Sequence, residues 1–146
     1  MPVPIPPANA PTDKDLDTNI LILGTILNDR DVQATAAYWE MSAKLPDGRS
    51  VDVELIAPTS NIVISHPDNS RPDTIGVQDY WPRKLDMRGI PPHDSSVGFV
   101  MGMIKGVKPT DFDKPNCSVT VCFQDSSGQR ICDVVRQEDR PRKFHN

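Results

Sequence analysis

The residues able to carry out catalysis are few, and their spacing matches no catalytic motif. His93-Asp94-Ser95-Ser96 contains the residue types of a serine hydrolase triad. Consecutive residues of an extended strand point to opposite sides, so these side chains cannot form a triad unaided. The patterns G-x-S-x-G, H-E-x-x-H and C-x-x-C and a phosphate-binding glycine loop do not occur in the sequence. We therefore expect a protein that is not an enzyme.

A small hydrolase or a metal-dependent enzyme is the alternative, and it would require His93 or His66 to meet a carboxylate in a pocket. Glu40, Asp52 and Glu54 are the other candidate ligands, because they share one face of a predicted hairpin with Glu40 opposite Glu54. A hard cation such as Ca²⁺ would relieve that repulsion, but its sites usually recruit loop carbonyls in a recognisable spacing. Since no such spacing is evident, we expect a solvated face and neither metal nor cofactor.

Three cysteines offer redox chemistry. An odd number does not make a disulfide framework, and a reducing compartment is the simpler interpretation. Cys122 and Cys132 are nevertheless expected opposite each other on the outward face of a hairpin, where small shifts from a Cβ separation of ~5 Å would permit a disulfide. The oxidised and the reduced pair both remain open. Cys117 has the opposite parity and is expected in the core.

Tyr80 and Trp81 are the candidate aromatic binding residues. They lie between two proline-rich loops, and either they form an exposed patch for a protein or glycan, or they plug one end of the domain. With His93 they make up the predicted binding residues. Segment 77–81 is predicted as a short strand or one helical turn, and 84–88 is equally ambiguous.

Two predicted hairpins position the cysteine pair and the carboxylates named above. Leu45-Pro46-Asp47-Gly48 suits a three-residue loop closed by a glycine bulge. Placing Leu45 opposite Arg49 brings the apolar residues of both arms to one face, in the pairs Ala43–Val51, Met41–Val53 and Trp39–Leu55.

Asp125-Ser-Ser-Gly128 has the same turn chemistry. Its register pairs Phe123 with Ile131, and it places Asp133 on the inward face, where an unpaired carboxylate is costly. We therefore expect a bulge at Asp133 or a position at the rim.

Three further segments complete the predicted strands. Residues 18–27 are apolar on both parities, which favours a central strand, and 61–65 and 97–104 are also predicted strands. The domain is expected to span 17–136. Residues 1–16, with five prolines, are predicted as an extended arm, and 137–146 as a charged tail.

Charge and hydropathy restrict the partners. The 146 residues carry a net charge of −4, with a pI near 5.2, which argues against non-specific nucleic-acid binding. No run approaches the ~20 apolar residues of a membrane helix, and the first residues have neither a basic nor an apolar signal region. We expect a cytoplasmic protein by default, without membrane insertion and with another protein as its partner. Its oligomeric state stays open.

The pattern resembles the small immunoglobulin-like accessory modules of bacterial proteins. The similarity rests on Gly24-Thr-Ile-Leu-Asn28, on the stretch from Trp39 to Gly48, and on Ile90-Pro-Pro followed by Gly98-Phe-Val-Met. It covers about residues 18–135, although no cysteine precedes Trp39 as in antibody domains. The resemblance implies an all-β, immunoglobulin-like antiparallel sandwich of about seven to nine strands with irregular tails.

Such modules are usually non-catalytic, so the resemblance implies an interaction or structural module. We expect it to act through surface contacts of loops 65–73, 80–88 and 90–96 and of the two tails. An envelope or secreted, adhesin-like or carbohydrate-binding sandwich is the alternative. This alternative is favoured if the Cys122–Cys132 pair is oxidised and if Tyr80 and Trp81 are exposed.

Overall fold

A computed structural model describes residues 16–65, 68, 70–112 and 114–136. Of the predicted proline-rich arm only Leu16 falls within these ranges, and the predicted charged tail and His66 lie outside them. The described chain forms eight strands and two short α-helices: β1 (Thr18–Leu27), β2 (Ala37–Lys44), β3 (Ser50–Leu55), β4 (Ile62–Ile64), β5 (Asp73–Ile75), α1 (Trp81–Met87), β6 (Ser95–Ile104), α2 (Pro109–Phe112), β7 (Ser118–Gln124) and β8 (Arg130–Arg136).

Six of the strands make one curled antiparallel sheet in the order β1-β6-β3-β2-β7-β8, and β4 and β5 form a separate two-stranded sheet. The predicted β-rich, antiparallel fold is confirmed at this level. The immunoglobulin-like arrangement stays a prediction.

The first hairpin has the predicted register. Met41 pairs with Val53 and Ala43 with Val51, and the turn closes where the Leu45 amide donates to the Arg49 carbonyl at 2.8 Å. Gly48 has a φ of 90°, the left-handed conformation that a glycine bulge needs. The β2–β3 pairing begins at Met41, so the expected Trp39–Leu55 pair is not part of it. Both of those side chains still pack against the main core.

The second hairpin also follows its predicted register. Phe123 pairs with Ile131 and Cys122 with Cys132, while Asp133 lies opposite Val121 without a break in the pairing. Asp133 is exposed, as expected for a position at the rim. The unbroken pairing around it excludes a bulge. The turn glycine, Gly128, has a φ of 83°.

Strand β1 was expected at the centre of the sheet, and that prediction is wrong. Its two faces contact two different cores: Ile20 and Ile22 belong to the main cluster inside the curled sheet, whereas Leu21 packs with Ile64 of β4 and Phe99 of β6. Because the β4–β5 sheet covers its outer face at Leu21 and Leu23, an edge strand carries the continuous apolar pattern that is typical of a central one.

Trp81, the first residue of α1, packs its side chain against a pair of glycines. Segment 77–81 contains a 3₁₀ turn, and Pro82 in the first turn of α1 favours helix over strand. Gly24 of β1 pairs with Gly98 of β6. A Cβ at position 98 would lie 2.5 Å from Trp81 Nε1, and one at position 24 would lie 3.3 Å from its Cη2. The two glycines therefore leave the space that the indole fills.

None of the described helices is both long and apolar enough to cross a bilayer.

Candidate binding groove

The curled sheet does not close. Strands β1 and β8 are the two ends of its order and do not pair with each other. Between them lies a groove of about 690 Å³, which we call the β1–β8 groove. Its walls are β1 from Leu21 to Leu27, the loop of residues 28–36, and β8, and its floor contains Trp39, Trp81 and Phe123.

The floor of the groove is aromatic. The rings of Trp39 and Trp81 stack with centroids 5.7 Å apart, and Phe123 tilts against Trp39 at 4.9 Å. The indole nitrogens of both tryptophans are buried and have no acceptor among the residues that the structure describes. This floor is therefore a rigid apolar surface with two donors that are not satisfied within the described chain.

The structure excludes the exposed aromatic patch, which was one of the two alternatives for Tyr80 and Trp81. Each residue is only 5% exposed, because the two side chains enter different cores. Tyr80 packs on Phe99 with ring centroids 5.6 Å apart, and burial raises the pKa of its phenol above the ordinary value. Trp81 reaches the groove, but as part of the floor.

The walls of the groove expose apolar side chains. Leu27 of β1 is 76% exposed, and Val32 of the following loop and Ile131 of β8 are exposed as well. Strand β1 contains no charged residue and no proline over its ten residues. Natural edge strands usually carry such residues to prevent pairing with other chains. This free edge therefore lacks the usual protection.

Asn28 fixes the loop that closes one end of the groove. Its side chain is buried, and Nδ2 donates to the carbonyls of Val32 at 2.9 Å, Ile90 at 3.0 Å and Pro91 at 3.0 Å. Its Oδ1 accepts from the amide of Arg30 at 3.1 Å. One amide side chain thus ties the loop after β1 to the segment before β6.

The same loop is joined to the turn of the second hairpin. The amide of Thr35 donates to Ser126 Oγ at 2.9 Å, and Arg30 Nη2 lies 3.5 Å from Asp125 Oδ2. The hydroxyl of Ser127 donates to Asp125 and lowers the pKa of that carboxyl below its ordinary value, with further help from the amide of Gln129 and the charge of Arg30. The groove is consequently closed at this end.

No family model matches the chain, and neither a curated protein nor a solved structure is similar to it at a significant level. The groove must therefore be interpreted from its own geometry.

His93 lies outside the groove. Its Nε2 is 2.6 Å from Asp31 Oδ1, and both side chains are exposed. The alternative of a hydrolase required such a pair in a pocket, and this pair is on the surface. His93 has a φ of 55°, so the loop turns sharply there. As a predicted binding residue it stays untested.

The other candidate residues also lie away from the groove floor. Cys122 and Cys132 form a disulfide, and Cys117 is buried, as expected. Glu40 pairs with Arg130 and Glu54 with Lys105, each at 3.1 Å, so these carboxylates have cationic neighbours. Within the described ranges, no three His, Cys, Asp or Glu residues are grouped as metal ligands.

The sequence pattern does not predict the groove. The available signal was the absence of charge and proline from 18–27, which indicates an unprotected edge only once the strand is known to end the sheet. The apolar residue Ile131 was expected to face a core rather than an open seam.

Proposed function

We propose that the protein is a non-catalytic binding module whose β1–β8 groove takes up an extended segment of a partner protein. The segment would pair with the free edge of β1 and thereby add a strand to the sheet. The observation that carries this proposal is the unprotected edge of β1 beside an apolar groove.

The chemistry of the groove favours a peptide over an apolar small molecule. Its volume, about 690 Å³, lies in the range of roughly 300–1,000 Å³ that is typical of small-molecule sites, so volume alone does not discriminate. The free edge of β1, however, presents backbone N–H and C=O groups along the groove. A hydrocarbon would bury these groups without hydrogen-bond partners, whereas a peptide backbone supplies donors and acceptors at the same spacing.

Two residues of β8 provide a matched test. Ile131 is 40% exposed and faces the groove, while Val134 is 39% exposed and faces outward. We expect a displayed library of random linear peptides, selected against the full chain, to yield extended apolar sequences. Ile131→Lys should weaken the binding of a selected synthetic peptide at least tenfold, about 1.4 kcal/mol, and Val134→Lys should change it less than twofold. Fluorescence polarisation would measure both affinities.

Backbone N-methylation of the selected peptide tests strand addition separately. Methylation of the amides that face β1 should abolish binding, and methylation of the alternate amides should leave it nearly unchanged. Equal effects of both lysine substitutions, or of both methylation patterns, would contradict the proposal, as would a selection that enriches no sequence.

A second candidate function follows from the Cys122–Cys132 bond, which favours an envelope or secreted binding domain. Disulfides persist mainly in oxidising compartments. The intact protein, purified with free thiols blocked, should carry one blocking group, at Cys117, and after that group is subtracted its mass should be two hydrogens below that of the reduced chain. Three blocked thiols would remove this candidate and leave the cytoplasmic alternative. The exposed aromatic pair that would further favour an adhesin-like site is absent, because Tyr80 and Trp81 are buried.

We retain the immunoglobulin-like relationship as part of the proposal. The antiparallel pairing and the two hairpins are compatible with it. The continuous six-stranded order and the small size of the second sheet are features that any relative would have to share.

A further inference from the structure

We infer that the partner segment carries a lysine or arginine whose side chain meets Asp133 of β8, so that charge selects which extended apolar segments the groove accepts. This inference rests on the proposed function and names the chemistry of its ligand.

The ionisable residues that line the groove have a surplus of negative charge. They are three carboxylates and one guanidinium, namely Asp29, Asp125, Asp133 and Arg30. Arg30 lies against Asp125, so this carboxylate has its cation. Asp29 and Asp133 form no ion pair with any residue in the described part of the chain. The groove is therefore apolar, with two negative charges at its walls that no cation in the described ranges pairs with.

Asp133 is the better placed of the two to contact a bound strand. It lies opposite Val121, and it lines the groove between Ile131 and Val135, which share its face of β8. Its one hydrogen bond is local, from the amide of Val134 to Oδ1 at 3.0 Å. A strand that fills the groove would cover these apolar neighbours and exclude water, which strengthens the attraction between the carboxylate and a cation.

The basic residues of β8 do not neutralise this position. Arg130 has the parity of the outer face and bonds to Glu40 there at 3.1 Å. Arg136 has the same outward parity, three residues beyond Asp133. The inward row of β8 thus consists of two apolar side chains with one carboxylate between them.

An inward charge on an edge strand also discourages indiscriminate strand pairing. The two roles predict different results. A residue that only repels other strands can be replaced by any charge without changing which peptides bind, whereas a selective residue imposes the opposite charge on its ligand.

Selections with three baits would distinguish these roles, using one displayed library of random linear peptides against the full-length chain. The wild type should enrich apolar sequences with Lys or Arg at one fixed position. Asp133→Lys should enrich Asp or Glu at that position. The matched control is Asp52→Lys, which makes the same change at an exposed carboxylate on the outer face of β3 and should retain the wild-type preference.

Affinity gives the second readout. A synthetic peptide selected by the wild type should bind Asp133→Asn about threefold to tenfold more weakly, and the difference should shrink in high salt. If wild type and Asp133→Lys enrich the same apolar sequences without a change of charge, the inference is wrong while the proposed function stands. If none of the baits enriches extended sequences, the proposed function itself fails.

Discussion

Trp81→Ala is expected to lower the free energy of unfolding by about 3–5 kcal/mol, the range for truncation of a large buried aromatic side chain. The indole is 5% exposed, stacks on Trp39 and fills the space above Gly24 and Gly98. Neither glycine has a side chain that could move into the vacated volume, so the cavity would stay largely open. Urea denaturation, monitored by the fluorescence of Trp39, the other tryptophan of the chain, would measure the loss of stability.

Met87→Ala is the control for this experiment. It alters another apolar residue of the same helix, but Met87 is 84% exposed, so its replacement should change stability by less than about 0.5 kcal/mol. A loss below about 1 kcal/mol for Trp81→Ala would mean that the indole is not a structural part of the groove floor. The groove would then lack the rigid surface against which a bound strand packs.

Local chemistry accounts for what the sequence could predict. A turn such as Leu45-Pro46-Asp47-Gly48 sets the φ values and hydrogen bonds of its own few residues, and these set the register of both arms. The pairs Met41–Val53 and Phe123–Ile131 follow from that rule alone. The exposure of Asp133 followed from the cost of burying an unpaired carboxylate.

Long-range pairing accounts for what the sequence could not predict. Gly24 pairs with Gly98 across a large separation in the chain, and nothing near either residue indicates which strand will be its neighbour. The position of β1 at the end of the sheet has the same origin. Because the β4–β5 sheet covers part of the outer face of β1, the composition of this strand matched that of a central strand and gave no sign of the open seam beside it. Trp81 was one of the predicted binding residues, but its burial depends on that pairing.

The second large effect on stability is expected from a substitution at Asn28, in the loop that closes one end of the groove. Asn28→Ala should lower the free energy of unfolding by about 1–3 kcal/mol, because the Val32 carbonyl and the Arg30 amide would lose their partner, and each unsatisfied group costs about 1–3 kcal/mol when it is buried. The carbonyls of Ile90 and Pro91 would also lose a hydrogen bond, but each keeps a backbone donor, the amides of Ala34 and Asp94. Hydrogen exchange should also accelerate at the amides of residues 29–36, since the side chain anchors that loop. Denaturant titration and exchange mass spectrometry would measure the two effects.

Asn28→Asp separates the donor role of the side chain from its size. The substitution keeps the acceptor for the Arg30 amide but directs a carboxylate at three carbonyl oxygens, so at neutral pH it should destabilise at least as much as Asn28→Ala. Protonation of that carboxyl restores a donor, and burial among acceptors favours the protonated form in the folded state. The difference in the free energy of unfolding between wild type and Asn28→Asp should therefore shrink as the pH falls and return as it rises. A deficit that is independent of pH would show that the three carbonyls do not depend on the Asn28 amide, and that the loop at the end of the groove is held by its contacts with Ser126 and Asp125 instead.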